Sequence, residues 1–305
     1  MPNDTLYTKI DSTGKLLLAP GNNPRLPAET LTDTATSPSL RPDLDNPIVI
    51  ATLLLVILAP FLAKLFQAML RRKKWRKDLK TNSRSYHEHL LEHNHYYRQL
   101  PVEEQVRFLK RVTVFMHARE FRYMNIEPQE RMPILISAAA VQLTFGLNEF
   151  LLDHFKVIYV LKEDYRYGHY NMPFMGHVDH SGIYLSWNNF LRGFQNYNDA
   201  HNVGIHEMAH ALAYVNFMSD SGHDPHFRGQ FRDFSKIARP IFNRMQRGEQ
   251  FLLDSYAATN YNEFWAVSVE TFFEKPMQMR SEMPDLYEAM CQLLNQDPLA
   301  WKALS

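Results

Sequence analysis

The sequence predicts an α+β, mainly helical fold: one domain with a small β-sheet, preceded by one transmembrane helix. Three observations carry that prediction. The run from Ile48 to Leu70 is apolar enough and long enough to cross a bilayer. Most of the chain after Tyr86 repeats apolar residues at helical spacing. Two short stretches, Phe155 to Leu161 and Gly182 to Trp187, instead have the β-branched and aromatic content of strands.

Composition bounds the class. With 305 residues, 45% hydrophobic and 22% charged, the chain has an ordinary folded composition and room for one large domain with appendages. Its formal net charge is +0. No global basicity argues for nucleic acid, and direct nucleic-acid binding is not expected. Cys291 is the single cysteine, so no disulfide can form within the chain, and it reads as a core residue of a helix. Any metal must be held by nitrogen and oxygen donors, because a thiolate cluster is out of reach.

Residues 1–46 are polar, rich in Pro, Thr, Asp and Asn, and read as a mostly disordered leader. Residues 47–70 are the expected transmembrane helix, with Lys64 reaching toward a head group and Pro60 as a kink. The leader is too long for a signal peptide and no A-x-A site follows, which leaves a buried core helix as the alternative. The basic run Arg71-Arg-Lys-Lys-Trp-Arg-Lys77 comes next, and such a run beside a span marks the cytoplasmic side. The leader has Asp4, Asp11, Glu29, Asp33, Asp43 and Asp45 against Lys9, Lys15, Arg25 and Arg41. The expected topology is therefore single-pass in the inner (cytoplasmic) membrane, anchored by residues 48–70, with everything after Leu70 in the cytoplasm.

Residues 71–99 read as a basic juxtamembrane helical linker, 100–298 as the folded domain and 299–305 as a tail. Pro101 opens a helix to about Glu120, with Val102, Val106, Leu109, Val112 and Phe115 inward. A second helix covers Pro128 to Phe145 and is ended by Gly146. The first strand follows, then a loop from Asp164 to Ser181, then the second strand. Further helices are expected at Asn198–Phe217, at Asp224–Arg247 with a break near Pro240, at Tyr261–Glu274, and at Pro284–Asn295.

The Asn198–Phe217 helix contains His206-Glu207-Met208-Ala209-His210, an H-E-x-x-H motif. Residues four apart on a helix share a face, so His206 and His210 offer two imidazoles to one ion. Ile205, Met208, Leu212 and Val215 form an apolar stripe on the other side. Glu207 sits beside the first histidine, where a metal-activated water needs a base. A catalytic zinc takes three protein ligands and keeps one position open. A third histidine in the H-E-x-x-H-x-x-G-x-x-H form is excluded, because Ala213 and Asn216 occupy those positions. The other pattern takes a glutamate from a later helix. Glu263 fits as third ligand, with Glu270 two turns on to orient a ligand histidine. The alternative for either glutamate is a solvated carboxylate on a helix surface.

The motif, together with Asp254, Tyr256, Glu263, Glu270, Phe272 and Phe273, resembles the Mlc titration factor A (MtfA) family of zinc-dependent peptidases. The family pattern is H-E-x-x-H followed by D-x-Y-A-x-x-x-x-x-E-x-F-A-x-x-x-E-x-F-F, and the likeness covers roughly residues 100–298. Ala213 departs from it, standing where the family often has Asp. The resemblance implies a gluzincin-like domain, H-E-x-x-H plus Glu, binding one Zn2+ per chain through His206, His210 and Glu263. It implies Glu207 as general base and Tyr256 as a hydroxyl that steadies the oxyanion; a packed aromatic is the alternative for Tyr256. The implied reaction is hydrolysis of a peptide or protein substrate, with amino-terminal trimming and internal cutting both open. The Ile183 to Trp187 strand is expected to present its edge to an extended peptide. Because the resembled family is also associated with capture of a transcriptional repressor, a regulatory binding protein is the alternative.

Other histidines compete. His89-Leu-Leu-Glu92-His93 matches the inverted H-x-x-E-H motif. It shows no apolar counter-stripe and no matching third-ligand segment, so it reads as an exposed helical linker. His223 and His226 read as a turn and helix start. His169, His177, His180 and His201 are candidates to line the cleft.

Overall fold

The computed structural model describes residues 46–166 and 173–300. The leader up to residue 45, His169 and the tail from 301 lie outside the described residues. The chain divides into two units, Met1–Ala59 and Pro60–Ser305. The described part of the first belongs to α1 (Pro47–His93), one helix that runs through Pro60. Every residue from Ile50 to Leu70 is exposed, large hydrophobics such as Leu55, Ile57 and Phe61 among them. By length and composition this is the one described helix able to cross a membrane.

The second unit continues with α2 (His95–Gln99), α3 (Val102–His117), β1 (Glu120–Met124), α4 (Arg131–Thr144), β2 (Val157–Leu161), β3 (Gly176–Asp179) and β4 (Gly182–Ser186). Then come α5 (Trp187–Gln195), α6 (Val203–Phe217), α7 (Pro225–Gln246), a 3-10 turn (Ser255–Ala258), α8 (Tyr261–Glu274), α9 (Pro276–Glu282) and α10 (Pro284–Leu294). A mainly helical domain with one small sheet is thus what forms. The sheet order is β1-β2-β4-β3, with β3 antiparallel to β4 and the other pairs parallel.

α4 is the centre. Its sequence is apolar on every side, and nearly every residue from Met132 to Thr144 is buried, as expected of a helix packed all round. α3 and α6 flank it, and α6 in turn packs on α8, β3 and β4. Gly146 does end α4, but not as a left-handed cap: a Cβ there would run into the Asn295 and Leu294 carbonyls at the end of α10.

Several expectations change. Val102 and Val106 are exposed, and only Leu109, Val112 and Phe115 of that stripe face inward. Glu120 begins a strand, because its amide donates to the Lys156 carbonyl at 2.9 Å. The helix after Asp224 passes Pro240 unbroken. Residues 176–179, expected as loop, pair with β4, and α5 and α9 were not foreseen. Half-buried Cys291 lies on α10, at the margin of the core. The segment holding His89 does have an apolar counter-face: Tyr86 and Leu90 are buried and Leu79 packs behind them. Tyr96 and Tyr97 join the same core, so it draws on residues before position 100.

Candidate metal centre

Two caps and one cross-helix bond build the site. Asn202 opens α6, its side-chain oxygen accepting from the Ile205 amide at 3.1 Å. Helical spacing then buries Ile205, Met208, Leu212 and Val215 on one side and leaves His206 and His210 half-buried on the other. Asn260 opens α8, accepting from the Asn262 and Glu263 amides at 2.9 and 3.1 Å. Trp265 locks the helices together: its indole N–H donates to the Ala209 carbonyl at 2.8 Å.

That docking brings His206, His210 and Glu263 to one point. The Nε2 atoms of the histidines are 3.1 Å apart. Oε2 of Glu263 lies 3.0 Å from His206 Nε2 and 3.4 Å from His210 Nε2. Donors held about 2.0–2.1 Å from a tetrahedral ion are roughly 3.3 Å from each other, so two imidazoles and one carboxylate at these spacings fit a zinc-sized cation. The electrostatics agree. Burial acts to raise the Glu263 carboxyl, but hydrogen bonds from His206 and His210 outweigh it and hold the group at about 2. Burial acts to lower His206, but bonds to Glu263 and Glu270 raise it well above its ordinary value.

Behind the trio stands Glu270. Its Oε2 is 3.0 Å from His206 Nδ1, and its Oε1 accepts from the Asn202 amide at 2.7 Å. A carboxylate on Nδ1 fixes the tautomer that leaves Nε2 free to coordinate. Asn202 and Glu274 escaped the sequence reading. The Asn202 side chain donates to Glu274 at 3.0 Å, and Glu274 also accepts from the Ala200 amide at 2.9 Å. Burial pushes Glu274 up to about 8. The signal was present: Glu263, Glu270 and Glu274 recur at i, i+7 and i+11 on one face of α8, and Asn202 stands at the cap position of the motif helix.

Glu207 differs from the other carboxylates. It is buried, and its Oε2 has no hydrogen-bond partner among the described residues. Burial pushes its carboxyl up to about 7 against the fields of both histidines. β3 lies directly over it: a Cβ on Gly176 would sit 2.6 Å from Glu207 Cγ and Oε1.

A cleft of ≈ 650 Å³ opens onto His206, Glu207 and Glu270, with Phe174, Met175 and Val203 among its apolar walls. Tyr256 lines it too, 52% exposed, its ring 6.3 Å from that of His206. His201 also lines the cleft, 3.9 Å from Asp254. His177 instead stacks on Tyr184 at 4.2 Å, and His180 is exposed and is not among the lining residues. His223 and His226 bond to the Ser219 and Gln292 carbonyls, beside the Asp224 cap of α7. The expected peptide-binding edge also moves. β4 is paired on both sides, by β2 and β3, so its edge is not open; among the described strands the edge nearest Glu207 belongs to β3.

A mainly helical domain with an H-E-x-x-H helix and a glutamate converging from a later helix has the build of a metallopeptidase-type protein. Residues 68–294 match the glucose-regulated metallo-peptidase M90 family, and the chain belongs to it. It is similar to an uncharacterised protein of Synechocystis, 23% identical over 225 residues that make up 67% of this chain and 81% of that one. It is also similar to Mlc titration factor A of Yersinia pestis and Yersinia pseudotuberculosis, 29% identical over 127 residues. That likeness spans 39% of this chain and 45% of each Yersinia protein.

Proposed function

We propose that this chain is a membrane-anchored zinc metallopeptidase with its catalytic domain in the cytoplasm. One observation carries the reading: two histidines and a glutamate converge beside the buried Glu207 carboxylate, whose Oε2 lacks a partner among the described residues. His206, His210 and Glu263 would hold the ion, which when bound supplies Lewis acidity and an acidified water. Glu207 takes the proton of the attacking water and returns it to the leaving amine, as a general base and then a general acid. Glu270 keeps His206 in register. The Tyr256 hydroxyl donates to the oxyanion of the tetrahedral carbon. β3 offers an edge to an extended peptide, and the apolar walls receive its side chains.

Two variants test this together. Glu207→Gln should keep the metal and lose peptide hydrolysis by roughly 10²–10⁴-fold, whereas Glu263→Ala should lose both. Undiminished cleavage by Glu207→Gln rejects the mechanism.

The likeness to proteins named Mlc titration factor A favours a second reading, capture of a transcriptional regulator with proteolysis secondary. Relief of a regulator by the Glu207→Gln chain at wild-type level would favour capture. The anchor reading rests on the exposed apolar half of α1 and the basic run after it. A reporter fused after Ser305 should be exposed to the cytoplasm, and exposure on the other side overturns the orientation.

A further inference from the structure

We propose that the C-terminal end of α1 carries a second, non-catalytic site for a divalent transition-metal ion, formed by His89, Glu92 and His93 and completed by Glu130 at the start of α4. The three α1 side chains offer donor atoms that all lie within 4.8 Å of one another. The positions are i, i+3 and i+4, which share one helix face. The Glu92 carboxylate lies 3.5 Å from His93 Nε2. Glu130 comes from a different element: its Oε2 lies 4.0 Å from His89 Nε2, while its other oxygen accepts from Ser85 at 2.9 Å. A cation here would therefore bridge α1 and α4, rather than decorate one helix.

The scaffold is already rigid. Leu90, between the histidines, is fully buried, Tyr86 is nearly so, and Asn94 closes the turn against Gln142 of α4 at 3.2 Å. The side chains of His89 and His93 are 27% and 17% exposed, so they are reachable but restrained. Arg131 and Arg98 lie within electrostatic reach of His93, as does Glu92. The two guanidinium groups repel a cation, and two carboxylates are needed to offset them. Two imidazoles with carboxylate oxygens suit zinc, nickel or copper and not magnesium or calcium. Among the described residues no carboxylate is seen on the far ring nitrogens of the kind Glu270 gives His206, so the role of the site is to clamp α1 to the domain and not to activate water.

The proposal stands independently of the peptidase reading, and metal counting separates the two. The full chain in detergent is stripped of metal, dialysed against Zn2+ and assayed for bound metal and for affinity by titration. The wild type should bind about two equivalents, and His89→Ala/His93→Ala and His206→Ala/His210→Ala about one each. In the second of these the remaining equivalent reports the α1 site alone, and Zn2+ should raise its thermal midpoint. Glu130→Gln, which keeps the side-chain shape, should weaken that equivalent about tenfold with an unchanged circular dichroism spectrum. A His206→Ala/His210→Ala chain that binds none overturns the proposal. So does an equivalent in that chain that binds only above about 100 μM, or one that survives His89→Ala/His93→Ala. A single wild-type equivalent lost with His89 and His93 supports this site and sinks the catalytic one.

Discussion

Among the described residues there are two places where a pair of histidines four apart on a helix meets glutamates, and they are built differently. On α6 one histidine of the pair is backed: Glu270 holds His206 from behind, Asn202 holds Glu270, and Glu274 holds Asn202. On α1 the pair is flanked from the side by Glu92 and Glu130, at 3.5 and 4.0 Å. The donor chemistry is nearly the same. The difference is the layer of carboxylates and an amide that fixes the His206 ring, and the buried Glu207, whose Oε2 has no hydrogen-bond partner among the described residues. A histidine pair alone makes a place for an ion; chemistry needs orientation and an idle base next to it.

The largest test of that contrast acts on the base. Gly176→Ala places a Cβ where Glu207 Cγ and Oε1 now lie 2.6 Å away. The flexible carboxylate yields before the strand does, so it should be displaced from its position beside His206. Displacement of a catalytic group by about 1 Å costs on the order of 10²-fold in rate. The expected result is a fall in kcat with metal content and thermal midpoint close to wild type. Full activity would mean that the position of Glu207 does not distinguish the α6 site.

A second test turns the α6 pair into something like the α1 pair. Glu270→Gln keeps the shape but removes the charge behind His206 and the charged acceptor for the Asn202 amide. Metal retention should weaken roughly tenfold to a hundredfold, measured by competition with a chelator. If affinity is unchanged, the backing layer is not what separates the two places.

Much of this was legible beforehand. His206, Glu207 and His210 declare themselves by spacing, and Glu263 and Glu270 by falling on one face of a later helix. The transmembrane-length run and the strands at 157–161 and 182–186 were equally plain. What stayed hidden depends on contacts distant in sequence. β3 has four residues and no strand pattern of its own; it is a strand because β4 pairs with it. The Pro240 break fails because α7 lies on α10 and tertiary packing overrides the local preference. Val102 and Val106 have the right period, yet no other described element covers them and both stay exposed. The counter-face of His89 was missed because Tyr86 and Leu90 supply it with one tyrosine and one leucine, too few for a periodic signal.

The smallest effect expected belongs to the junction of α1 with the domain, where a third carboxylate–histidine pair has a structural task. Asp78 Oδ2 lies 2.7 Å from His117 Nε2 of α3 and accepts from the Tyr86 hydroxyl at 2.9 Å, while Asn82 donates to Oδ1 at 2.7 Å. Burial acts to raise the Asp78 carboxyl, but the bonds from His117, Asn82 and Tyr86 together hold it below its ordinary value of 3.8. A lowered carboxyl adds stability that is fully present above its unfolded pKa and is lost as pH falls through the folded one. Asp78→Asn should therefore cost about 1–2 kcal/mol at neutral pH. The gap from wild type, present at pH 7, should close as pH falls below 3.8. Thermal melts of both chains across that range would read it. A gap that widened in acid would show that the charge of Asp78 is not what holds α1 against α3, and that the clamp must be sought at Glu130 instead.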